Sequence, residues 1–348
     1  MTQRAPLDDV APSDALEPIA LAVVILNYRT AQLTADCLDS MAGQLEPGTQ
    51  VIVVDNASGD GSAERIAQHI TQRGFDGWAR VLCSPVNGGF AAGNNLALRA
   101  VAARVYILLN SDTLVRAGAL AELRRVLDER PDVGLVGPSF EDGDGVLLES
   151  CHDTPHPLSE LVRAANTGLV AALLHRHALA PRHSELPLEP AWMPFACVGF
   201  RRELLDVVGL LDDGFFMYFE DIDYCLRVRQ AGYKILYWPR ARIVHLVGKS
   251  SNVTASADAR KRAPRYFYEA RTRFFAKHFG LSGLLLANAS WLAGRLVSRT
   301  RELVQRDRRA VRAGEARDLW INALHPFRTS TYHPTAPRVD AAPKALER

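Results

Sequence analysis

Short apolar runs alternate with amphipathic stretches along the first third of the chain, and this alternation restricts the fold more than any other feature of the sequence. The apolar runs are typical of strands, and they occupy residues 21–26, 51–54, 81–83 and 105–109. The stretches between and after them have the periodicity of helices, and they occupy residues 33–41, 62–70, 90–102 and 117–129. Near-continuous apolar strands are buried on both faces. The pattern therefore predicts an α/β fold, with a mostly parallel sheet flanked by helices on each side.

The composition is that of a globular protein and argues against several other classes. Of the 348 residues 48% are hydrophobic, which is enough for a sizeable core, and the formal net charge of +2 gives no indication of nucleic-acid binding. The five cysteines are odd in number and lack CxxC spacing, which argues against a disulfide framework and a zinc site and fits a reducing cytosol. The first twenty residues contain three prolines, four acids and one arginine, so we expect a disordered leader rather than a signal peptide.

The second half of the chain is less regular. Residues 151–190 are rich in Pro, His and Leu and have no clear period. Ordered segments resume after them, with strands predicted at 192–200, 234–238 and 242–246, a further segment at 201–208 and a helix that starts at the acids near residue 220. We expect the chain to divide into a leader (1–20), one continuous domain (21–250), a helical extension (260–315) and a loose tail (316–348).

Polar residues follow each of the four strands predicted in the first half. In open parallel sheets, ligands bind beyond the carboxyl ends of the strands, so these residues are the candidates for a binding site. We expect all four strand ends to face one crevice. They carry Asn27 after the first run, Asp55 after the second, Asn87 and Gly89 after the third, and Asn110, Ser111 and Asp112 after the fourth.

Asp112 is the candidate for a metal ligand in this crevice. A carboxylate just past an apolar strand can hold a hard cation between diphosphate oxygens, and Mg²⁺ or Mn²⁺ suits such a site. The alternative is that Asp112 caps the helix predicted to begin near Arg116, which is a common role for aspartate after a strand. The motif alone leaves both interpretations open.

Two further motifs at the strand ends have competing interpretations. The carboxylate of Asp55 can accept the imide N–H of a uracil or thymine base, whereas the neighbouring Asp60 is typical of a helix cap. Gly88, Gly89 and Gly93 do not have the spacing of the dinucleotide-binding GxGxxG motif. They indicate either a close approach of the backbone to a ligand or a simple tight turn.

Three carboxylates stand within four residues at Glu220, Asp221 and Asp223, behind the aromatic-rich run of residues 215–219. Like charges at this spacing repel one another, so a folded protein keeps them only where a metal, a cation or a reacting proton compensates them. This segment is therefore the first candidate for an active site. Arg227 lies four residues after Asp223, and an ordinary helix pair is the interpretation that we prefer for these two residues.

The C-terminal region combines an apolar helix with an arginine-rich stretch. Residues 281–293 are largely apolar, and seven arginines follow between residues 295 and 312. The apolar stretch is much shorter than the roughly 20 residues that a membrane-spanning helix needs. One interpretation is that these helices lie on an anionic membrane surface. The other is a helix packed on the domain, followed by a solvated basic extension.

Together, the motifs within residues 21–250 resemble those of the family 2 glycosyltransferases of the GT-A fold, especially the rhamnosyltransferase-like and galactofuranosyltransferase-like branch. The resemblance implies a Rossmann-like, mostly parallel sheet, with the C-terminal helices as an extension. Five motifs in order carry it and are jointly specific: Val24-Ile25-Leu26-Asn27-Tyr28, Val54-Asp55-Asn56-Ala57-Ser58-Gly59-Asp60-Gly61-Ser62, Asn87-Gly88-Gly89-Phe90-Ala91-Ala92-Gly93-Asn94-Asn95, Leu109-Asn110-Ser111-Asp112, and Phe216-Met217-Tyr218-Phe219-Glu220-Asp221-Ile222-Asp223.

The resemblance implies a role for each matching residue. Asp55 matches the acid that reads the pyrimidine base, and Asp112 matches the last acid of the DxD metal motif, whose first acid is missing here. Asp221 matches the catalytic base, and Glu220 is expected to tune it or to hold acceptor hydroxyls. A single histidine at a strand end is more often structural, but His245 lies where related members carry a metal-binding histidine. The other residues expected to contact the nucleotide sugar are Asn27, Asn87, Gly89, Asn94, Asn110 and Ser111.

The activity that the resemblance implies is an inverting sugar transfer. The expected donor is dTDP-rhamnose or a UDP-sugar, the expected cofactor is a divalent ion (Mn²⁺ or Mg²⁺), and the expected acceptor is a hydroxyl of a glycan, a lipid-linked substrate or a small molecule. No nucleic-acid partner is expected. The expected location is cytoplasmic, with peripheral contact at the inner face of the cell membrane if the C-terminal helices bind it.

Two other functions share parts of this pattern. A nucleotidyltransferase also uses an α/β sheet and metal-bound carboxylates, but it would open with a glycine-rich basic loop where this chain has Asn27-Tyr28-Arg29-Thr30-Ala31. A non-catalytic, sugar-binding relative of the same fold would be favoured if the base or the metal ligands had been lost. Asp112, Asp221 and His245 are all present.

Overall fold

The computed structural model describes residues 18–177, 184–246, 262–305 and 312–328. Strands and helices alternate through its first half, and every element predicted there is present. These elements are β1 (Ile19–Asn27), α1 (Ala31–Met41), β2 (Thr49–Asp55), α2 (Ser62–Arg73), β3 (Ala79–Cys83), α3 (Gly89–Ala100), β4 (Ala103–Asn110), β5 (Thr113–Val115), α4 (Ala119–Glu129) and β6 (Val133–Glu141).

The second half adds two strands and most of the shorter helices. A single 3₁₀ turn, His175–His177, follows the second of these helices. The elements are α5 (Ser159–Ala165), α6 (Gly168–Leu173), β7 (Cys197–Arg201), α7 (Arg202–Val208), α8 (Glu220–Gln230), β8 (Lys234–His245), α9 (Arg265–Gln305) and α10 (Glu315–Asp318).

The strands of these ranges form one eight-stranded sheet in the order β3-β2-β1-β4-β7-β6-β8-β5. The first four strands of that order run parallel to one another, as do β6 and β8. β7 runs antiparallel to both β4 and β6, and the short edge strand β5 runs antiparallel to β8. The predicted α/β class with a mostly parallel sheet is confirmed.

Helices cover both faces of the sheet, which explains why its strands read as continuous apolar runs. On β1, Val23 and Ile25 pack in the layer formed with α1, α2 and α4. The alternate residues Ala22 and Val24 pack in the opposite layer, formed with α3, α7 and α8. Because successive side chains of a strand point to opposite faces, both sets must be apolar.

Four strands differ from the sequence-based expectation: β7 and β8 in their bounds, and β5 and β6 because they were not predicted. β7 begins only at Cys197 rather than at residue 192, since Pro194 has no N–H to donate to a neighbouring strand. The two strands predicted at 234–238 and 242–246 are a single strand, β8. Residues 239–241 between them form a bulge in its pairing with β6, and the strand continues beyond it. Pro239 interrupts the apolar run without ending the strand. β5 was not predicted, and its three residues are too few to produce a pattern.

The proposed helix-capping role of Asp112 is wrong. Helix α4 begins at Ala119, its N-cap is Gly118, and no side chain caps it. The strand β5 separates Asp112 from that helix. The carboxylate of Asp112 therefore has some other role.

Helix α9 and the segment between residues 151 and 177 pack together against the domain. α9 is broken at Gly280, whose φ of 69° lies in the left-handed region. Before the break, Arg271 is only 2% exposed and donates to Glu160 of α5 at 3.1 Å and to Asn288 at 2.7 Å. After the break, the backbone of α5 occupies the space that a Cβ would need at Gly294. None of the helices in the described ranges is long and apolar enough to cross a membrane.

The ends of the predicted divisions shift slightly. The predicted leader, residues 1–20, lies almost wholly outside the described residues, although β1 already begins at Ile19. The predicted tail, residues 316–348, starts inside α10, and residues 329–348 lie outside the described part of the chain.

Candidate active site

Asn27 connects the ends of three neighbouring strands at the carboxyl edge of the sheet. Its amide nitrogen donates to Oδ1 of Asp55 at 2.7 Å. Its amide oxygen accepts from the hydroxyls of Thr30 and Thr34, both at 3.0 Å. The hydroxyl of Thr30 in turn lies 2.9 Å from that of Ser111, just past β4. The ends of β1, β2 and β4 are thus held in one hydrogen-bonded network, as their common crevice requires.

The carboxylate of Asp55 is fixed in place and only 5% exposed. The hydroxyl of Ser58 donates to Oδ1 at 2.6 Å, and the backbone N–H of Ser58 donates to Oδ2 at 3.1 Å. An ionised carboxylate has about four acceptor positions. Asp55 therefore keeps the capacity to accept a further N–H from a ligand without giving up these bonds.

Asn87 and Gly89 shape the turn between β3 and α3. Oδ1 of Asn87 accepts from the N–H of Gly89 and from the side chain of Asn56, both at 3.0 Å. Gly89 has a φ of 87°, and the carbonyl of Phe216 occupies the space that a Cβ would need there. The N–H of Phe90 donates to that same carbonyl at 2.7 Å. At Gly89 the close approach is therefore made by the protein's own backbone rather than by a ligand.

This contact joins the two halves of the candidate site. Residues 87–90 belong to the strand-end crevice, and Phe216 belongs to the segment that leads into the acids of α8. Asn94, which we expected to contact the nucleotide sugar, is buried on α3 and donates to the carbonyl of Phe90 at 2.9 Å. Asn110 ends β4, where its N–H donates to the carbonyl of Ala196 at 2.9 Å.

Asp112 and His245 come together although they are far apart in sequence. β5 and β8 pair antiparallel directly after Asp112, with Thr113 opposite His245. Nε2 of His245 lies 3.5 Å from Oδ1 of Asp112, whose side chain is 1% exposed. The ring of Phe140 packs against the imidazole at 5.6 Å between centroids. The short edge strand, which the sequence did not reveal, is what brings the two residues into contact.

The donor set of this pair fits a divalent ion that is shared with a substrate. It consists of one carboxylate and one imidazole, and the described ranges contain no group of three or more His, Cys, Asp or Glu side chains suited to a metal. Mg²⁺ and similar ions are commonly bound through one or two protein groups plus substrate phosphates and water. The pair therefore fits a metal bound together with a diphosphate better than a closed protein cage.

Four non-glycine residues around the crevice have left-handed backbone. Their φ angles are 58° at Arg29, 55° at Ala57, 72° at Tyr218 and 68° at Phe219. The other non-glycine residues with positive φ in the described ranges are asparagines, which tolerate this conformation. Such conformations cost on the order of 1–3 kcal/mol each and concentrate at functional sites. Their location therefore supports the assignment of this region as the site.

Helix α8 begins at Glu220 and carries all three acids in its first turn. The N-terminus of a helix favours negative charge, which partly offsets their mutual repulsion. Asp221 is partly exposed, and its Oδ1 accepts from the N–H of Ile222 at 2.8 Å. Glu220 is buried, and its Oε2 has no hydrogen-bond partner among the described residues.

The environments of Glu220 and Asp221 raise the pKa of both carboxyl groups. Burial raises the pKa of Asp221 to about 7, although backbone N–H groups act in the opposite direction. Burial and the neighbouring charge of Asp221 raise the pKa of Glu220 well above its usual range. A carboxylate with a pKa near neutrality is suited to general acid or base catalysis, and such groups cluster at active sites.

Asp223 has a different environment from its two neighbours. Its buried carboxylate accepts from Arg227 at 2.9 Å and lies 2.8 Å from Nε2 of His278 and 2.7 Å from Nζ of Lys277. Burial alone would raise its pKa, but these partners lower it. The helix pair with Arg227, preferred from the sequence, is present. Lys277 and His278 of α9 were missed, since no local pattern marks residues that approach from 55 positions away.

Helix α9 also holds the loop that precedes the acids. Asp212 accepts from Arg273 and Lys277 of α9, both at 2.7 Å. Burial would raise the pKa of Asp212, but these two cations lower it to about 2. The ring of Tyr266 stacks on that of Tyr218 at 6.1 Å between centroids. The C-terminal helix therefore forms one wall of the candidate site and is more than an appendage.

The fold is that of the GT-A glycosyltransferases. The chain belongs to the family described as Glycosyltransferase like family 2, whose model matches residues 18–263. The expected family is confirmed, and the chain is a glycosyltransferase. The nucleotidyltransferase alternative is not supported.

Characterised relatives include two rhamnosyltransferases. One is the N-acetylglucosaminyl-diphospho-decaprenol L-rhamnosyltransferase of Mycobacterium tuberculosis, which is 24% identical over 241 residues, covering 65% of this chain and 75% of that protein. The other is the dTDP-rhamnosyl transferase RfbF of Shigella flexneri, which is 22% identical over 233 residues, covering 66% of this chain and 71% of that protein.

Solved structures support the fold. GalNAc-T7, crystallised with UDP, GalNAc and Mn²⁺, superimposes with a TM-score of 0.52 at 14% identity, over 74% of this chain and 50% of that one. TarS of S. aureus superimposes with a TM-score of 0.50 at 17% identity, over 89% of this chain and 48% of that one. At these identities the likeness establishes the architecture alone.

Proposed function

We propose that this glycosyltransferase moves a sugar from a nucleotide-diphosphate donor to an acceptor hydroxyl in a single displacement that inverts the anomeric carbon. The observation that carries the proposal is the carboxylate of Asp221 at the head of α8. It keeps some contact with solvent, and the burial of the rest of the group raises its pKa to about 7. It belongs to the segment that contacts the strand-end crevice through Gly89 and Phe216. A proton acceptor and a nucleotide-type crevice are the two parts that such a transfer needs.

The nucleotide would bind at the ends of β1, β2 and β4. Asp55 would accept the imide N–H of a uracil or thymine base through the acceptor capacity that Ser58 and Asn27 leave open. Thr30 and Ser111, whose hydroxyls lie 2.9 Å apart, would contact the ribose and phosphate oxygens. Asn87 and Gly89 would fix the turn between β3 and α3 beside the nucleotide sugar and would also contact it.

Asp112 and His245 would hold the divalent ion, Mn²⁺ or Mg²⁺. Their spacing of 3.5 Å places a hard oxygen donor and an imidazole at one point of the crevice edge. When bound there, the ion would supply charge stabilisation to the departing diphosphate. Asn110 replaces the first acid of the expected motif, so the protein contributes one negative charge fewer to that ion.

Asp221 would take the proton of the acceptor hydroxyl as that oxygen attacks the anomeric carbon. The new carbon–oxygen bond forms as the bond from the anomeric carbon to the diphosphate oxygen breaks, and the bonding electrons leave with the nucleotide diphosphate. Attack from the face opposite the leaving group gives inversion. Glu220 lies beside Asp221 at the head of α8 and would tune the proton affinity of the base or hold acceptor hydroxyls.

Rhamnose from its thymidine diphosphate is our leading donor, and a UDP-sugar is the second candidate. Both named relatives are rhamnosyltransferases, and one is named for a dTDP donor. The Mycobacterium tuberculosis relative is named for a lipid-linked diphosphate acceptor, so we place a lipid-linked glycan first among the acceptors.

A panel of nucleotide sugars, screened by thermal shift with and without Mn²⁺, tests the proposal. We expect dTDP-rhamnose to raise the unfolding temperature more with Mn²⁺ than without it, and to release dTDP slowly by hydrolysis. Asp112→Asn should remove the Mn²⁺-dependent part of the shift. If no nucleotide sugar stabilises the protein or is turned over, a non-catalytic relative of the fold is the better description.

A further inference from the structure

Five exposed leucines form a stripe along the second half of α9. They are Leu281, Leu285, Leu292, Leu296 and Leu303, and their exposed fractions range from 42% to 82%. Their spacings are 4, 7, 4 and 7 residues. At 3.6 residues per turn these positions fall within an arc of about 60°, over a length of about 33 Å. We call this surface the leucine stripe.

The opposite face of the same helix is already packed in the protein. Leu284 and Ala287 are buried with Phe274 and Phe275, and Trp291 is buried with Ala164 of α5. The leucine stripe is therefore not a core face awaiting a neighbouring element of the described fold. Contiguous apolar surface of this kind on a folded protein marks an interaction site.

The charge of the surrounding chain is complementary to an anionic surface. Residues 295–312, which overlap and follow the leucine stripe, contain seven arginines against two acids, whereas the whole chain has a net charge of only +2. The positive charge is therefore concentrated in the C-terminal region that carries the leucine stripe. An apolar face within a basic region is the combination that binds anionic membrane interfaces.

Arg299 distinguishes a membrane from a second copy of the chain. It is exposed and lies seven residues after Leu292, hence within the leucine stripe itself. In a seam between two helices its guanidinium would lose water within an apolar contact, which is costly. At a bilayer its stem can lie along the apolar surface while the guanidinium reaches a lipid phosphate. The stripe is therefore better suited to a lipid interface than to a helix pair.

We propose that the leucine stripe and Arg299 bind the surface of a bilayer that contains anionic phospholipid, with α9 parallel to the membrane plane. The inference names a partner for the proposed transferase and rests on that function for its purpose, which is access to a lipid-linked acceptor. Its physical basis, the exposed stripe and the local charge, does not depend on the donor or the reaction.

Sedimentation with vesicles tests the inference on the full chain. The triple variant Leu285→Gln, Leu292→Gln, Leu296→Gln should bind vesicles with about one third phosphatidylglycerol at least about tenfold more weakly than the unmodified protein. The matched control is Val86→Gln, Leu186→Gln, Val207→Gln, which changes three similarly exposed apolar residues elsewhere and should bind normally. Arg299→Gln should weaken binding to anionic vesicles more than to neutral ones.

The outcomes separate this inference from the proposed function. Weaker vesicle binding by the stripe variant, with normal unfolding temperature and normal donor hydrolysis, supports the inference. Equal binding by the stripe and control variants would overturn it, and so would a concentration-dependent dimer that only the stripe variant loses. Absence of donor hydrolysis in every protein, with the stripe effect intact, would contradict the proposed function alone.

Discussion

At the scale of single residues, three neighbouring acids have three different electrostatic states. Asp221 is partly exposed and its pKa is raised to about 7, Glu220 is buried with a pKa raised well above its usual range, and Asp223 is buried among cations that lower its pKa. The sequence places the three side by side, but only their surroundings assign them different chemistry. Of the three acids, only Asp221 is both accessible to solvent and raised in pKa to a value near neutrality.

The rate of sugar transfer or donor hydrolysis should depend on pH through Asp221. A general base works only when it is ionised, so kcat/KM should fall as pH decreases through about 7, by about tenfold between pH 8 and pH 6. The measurement is a pH profile of nucleotide release at saturating Mn²⁺. Donor binding, followed by titration over the same range, is the control. A profile that is flat down to pH 5 while binding persists would contradict the assignment.

The stability of the protein should also report the raised pKa of Asp221. The folded protein holds this proton to about pH 7, whereas the unfolded carboxyl loses it near its ordinary pKa of 3.8. The folded state therefore binds more protons between these values, and stability falls as pH rises from about 4 to 7, by at most about 4 kcal/mol. Asp221→Asn removes this loss and should increase the free energy of unfolding at pH 8, but not at pH 4.

The matched control variant, Asp223→Asn, should change the free energy of unfolding at pH 8 in the opposite direction. Asp223 is ionised among Arg227, Lys277 and His278, so Asp223→Asn leaves these groups without their anion and should destabilise the protein at pH 8. Urea unfolding at pH 4 and pH 8 measures both variants. If Asp221→Asn destabilises the protein as much as Asp223→Asn does, both carboxylates are structural.

At the scale of elements, the decisive contact is between the turn before α3 and the segment before α8. Gly89 allows the carbonyl of Phe216 to approach, and the N–H of Phe90 bonds to it. The strained residues Tyr218 and Phe219 follow directly and set the direction in which α8 starts. The position of the proposed base thus depends on a glycine more than 130 residues away.

Gly89→Ala should lower both activity and stability, whereas Gly43→Ala should not affect activity. Both glycines have positive φ, 87° and 75°, but a Cβ at Gly43 meets nothing within 4 Å. Gly43→Ala should therefore cost only the backbone term, about 1–2 kcal/mol. Gly89→Ala adds a collision with the backbone at Phe216. Unfolding in urea and nucleotide release measure the two effects, and equal behaviour of the two variants would contradict this role of Gly89.

The sequence predicts best the strands that helices cover on both faces. β1, β2 and β4 are buried on both faces by helices, so their apolar runs are sufficient evidence. β5 has only three residues, and β8 crosses Pro239 through a bulge, so neither follows from a local pattern. These two strands bring Asp112 to His245, and for that reason the sequence could suggest the pair only through resemblance to a family.

At the scale of the whole molecule, the C-terminal helix is part of the domain that it follows. Arg271 is buried in contact with Glu160 and Asn288, and Lys277 and His278 contact Asp223 beneath the proposed base. Charge patterns and strand ends predicted much of the crevice, including Asn27, Asp55 and Asp112. They could not predict the contribution of α9, because it depends on how distant segments pack.

Arg271→Met should destabilise the whole protein strongly. Removing this buried cation leaves the side-chain oxygen of Asn288 without its donor and leaves Glu160 with Arg163 as its one remaining cation, which should cost about 2–3 kcal/mol. Arg73→Met removes an exposed ion pair with Asp39, which also keeps His69 as a partner, and should destabilise the protein much less. Thermal unfolding of both variants measures the difference. If the two costs are equal, α9 is not integral to the fold.

The central claim is that Asp221 is the base of a nucleotide-sugar transfer, and donor binding and turnover measured together in Asp221→Asn test it most directly. The account predicts that titration with dTDP-rhamnose and Mn²⁺, or with whichever nucleotide sugar the screen selects, gives an affinity close to that of the unmodified protein. It predicts that transfer falls by about 10²–10⁴-fold. Turnover within tenfold of the unmodified protein, or loss of donor binding together with turnover, would contradict the claim.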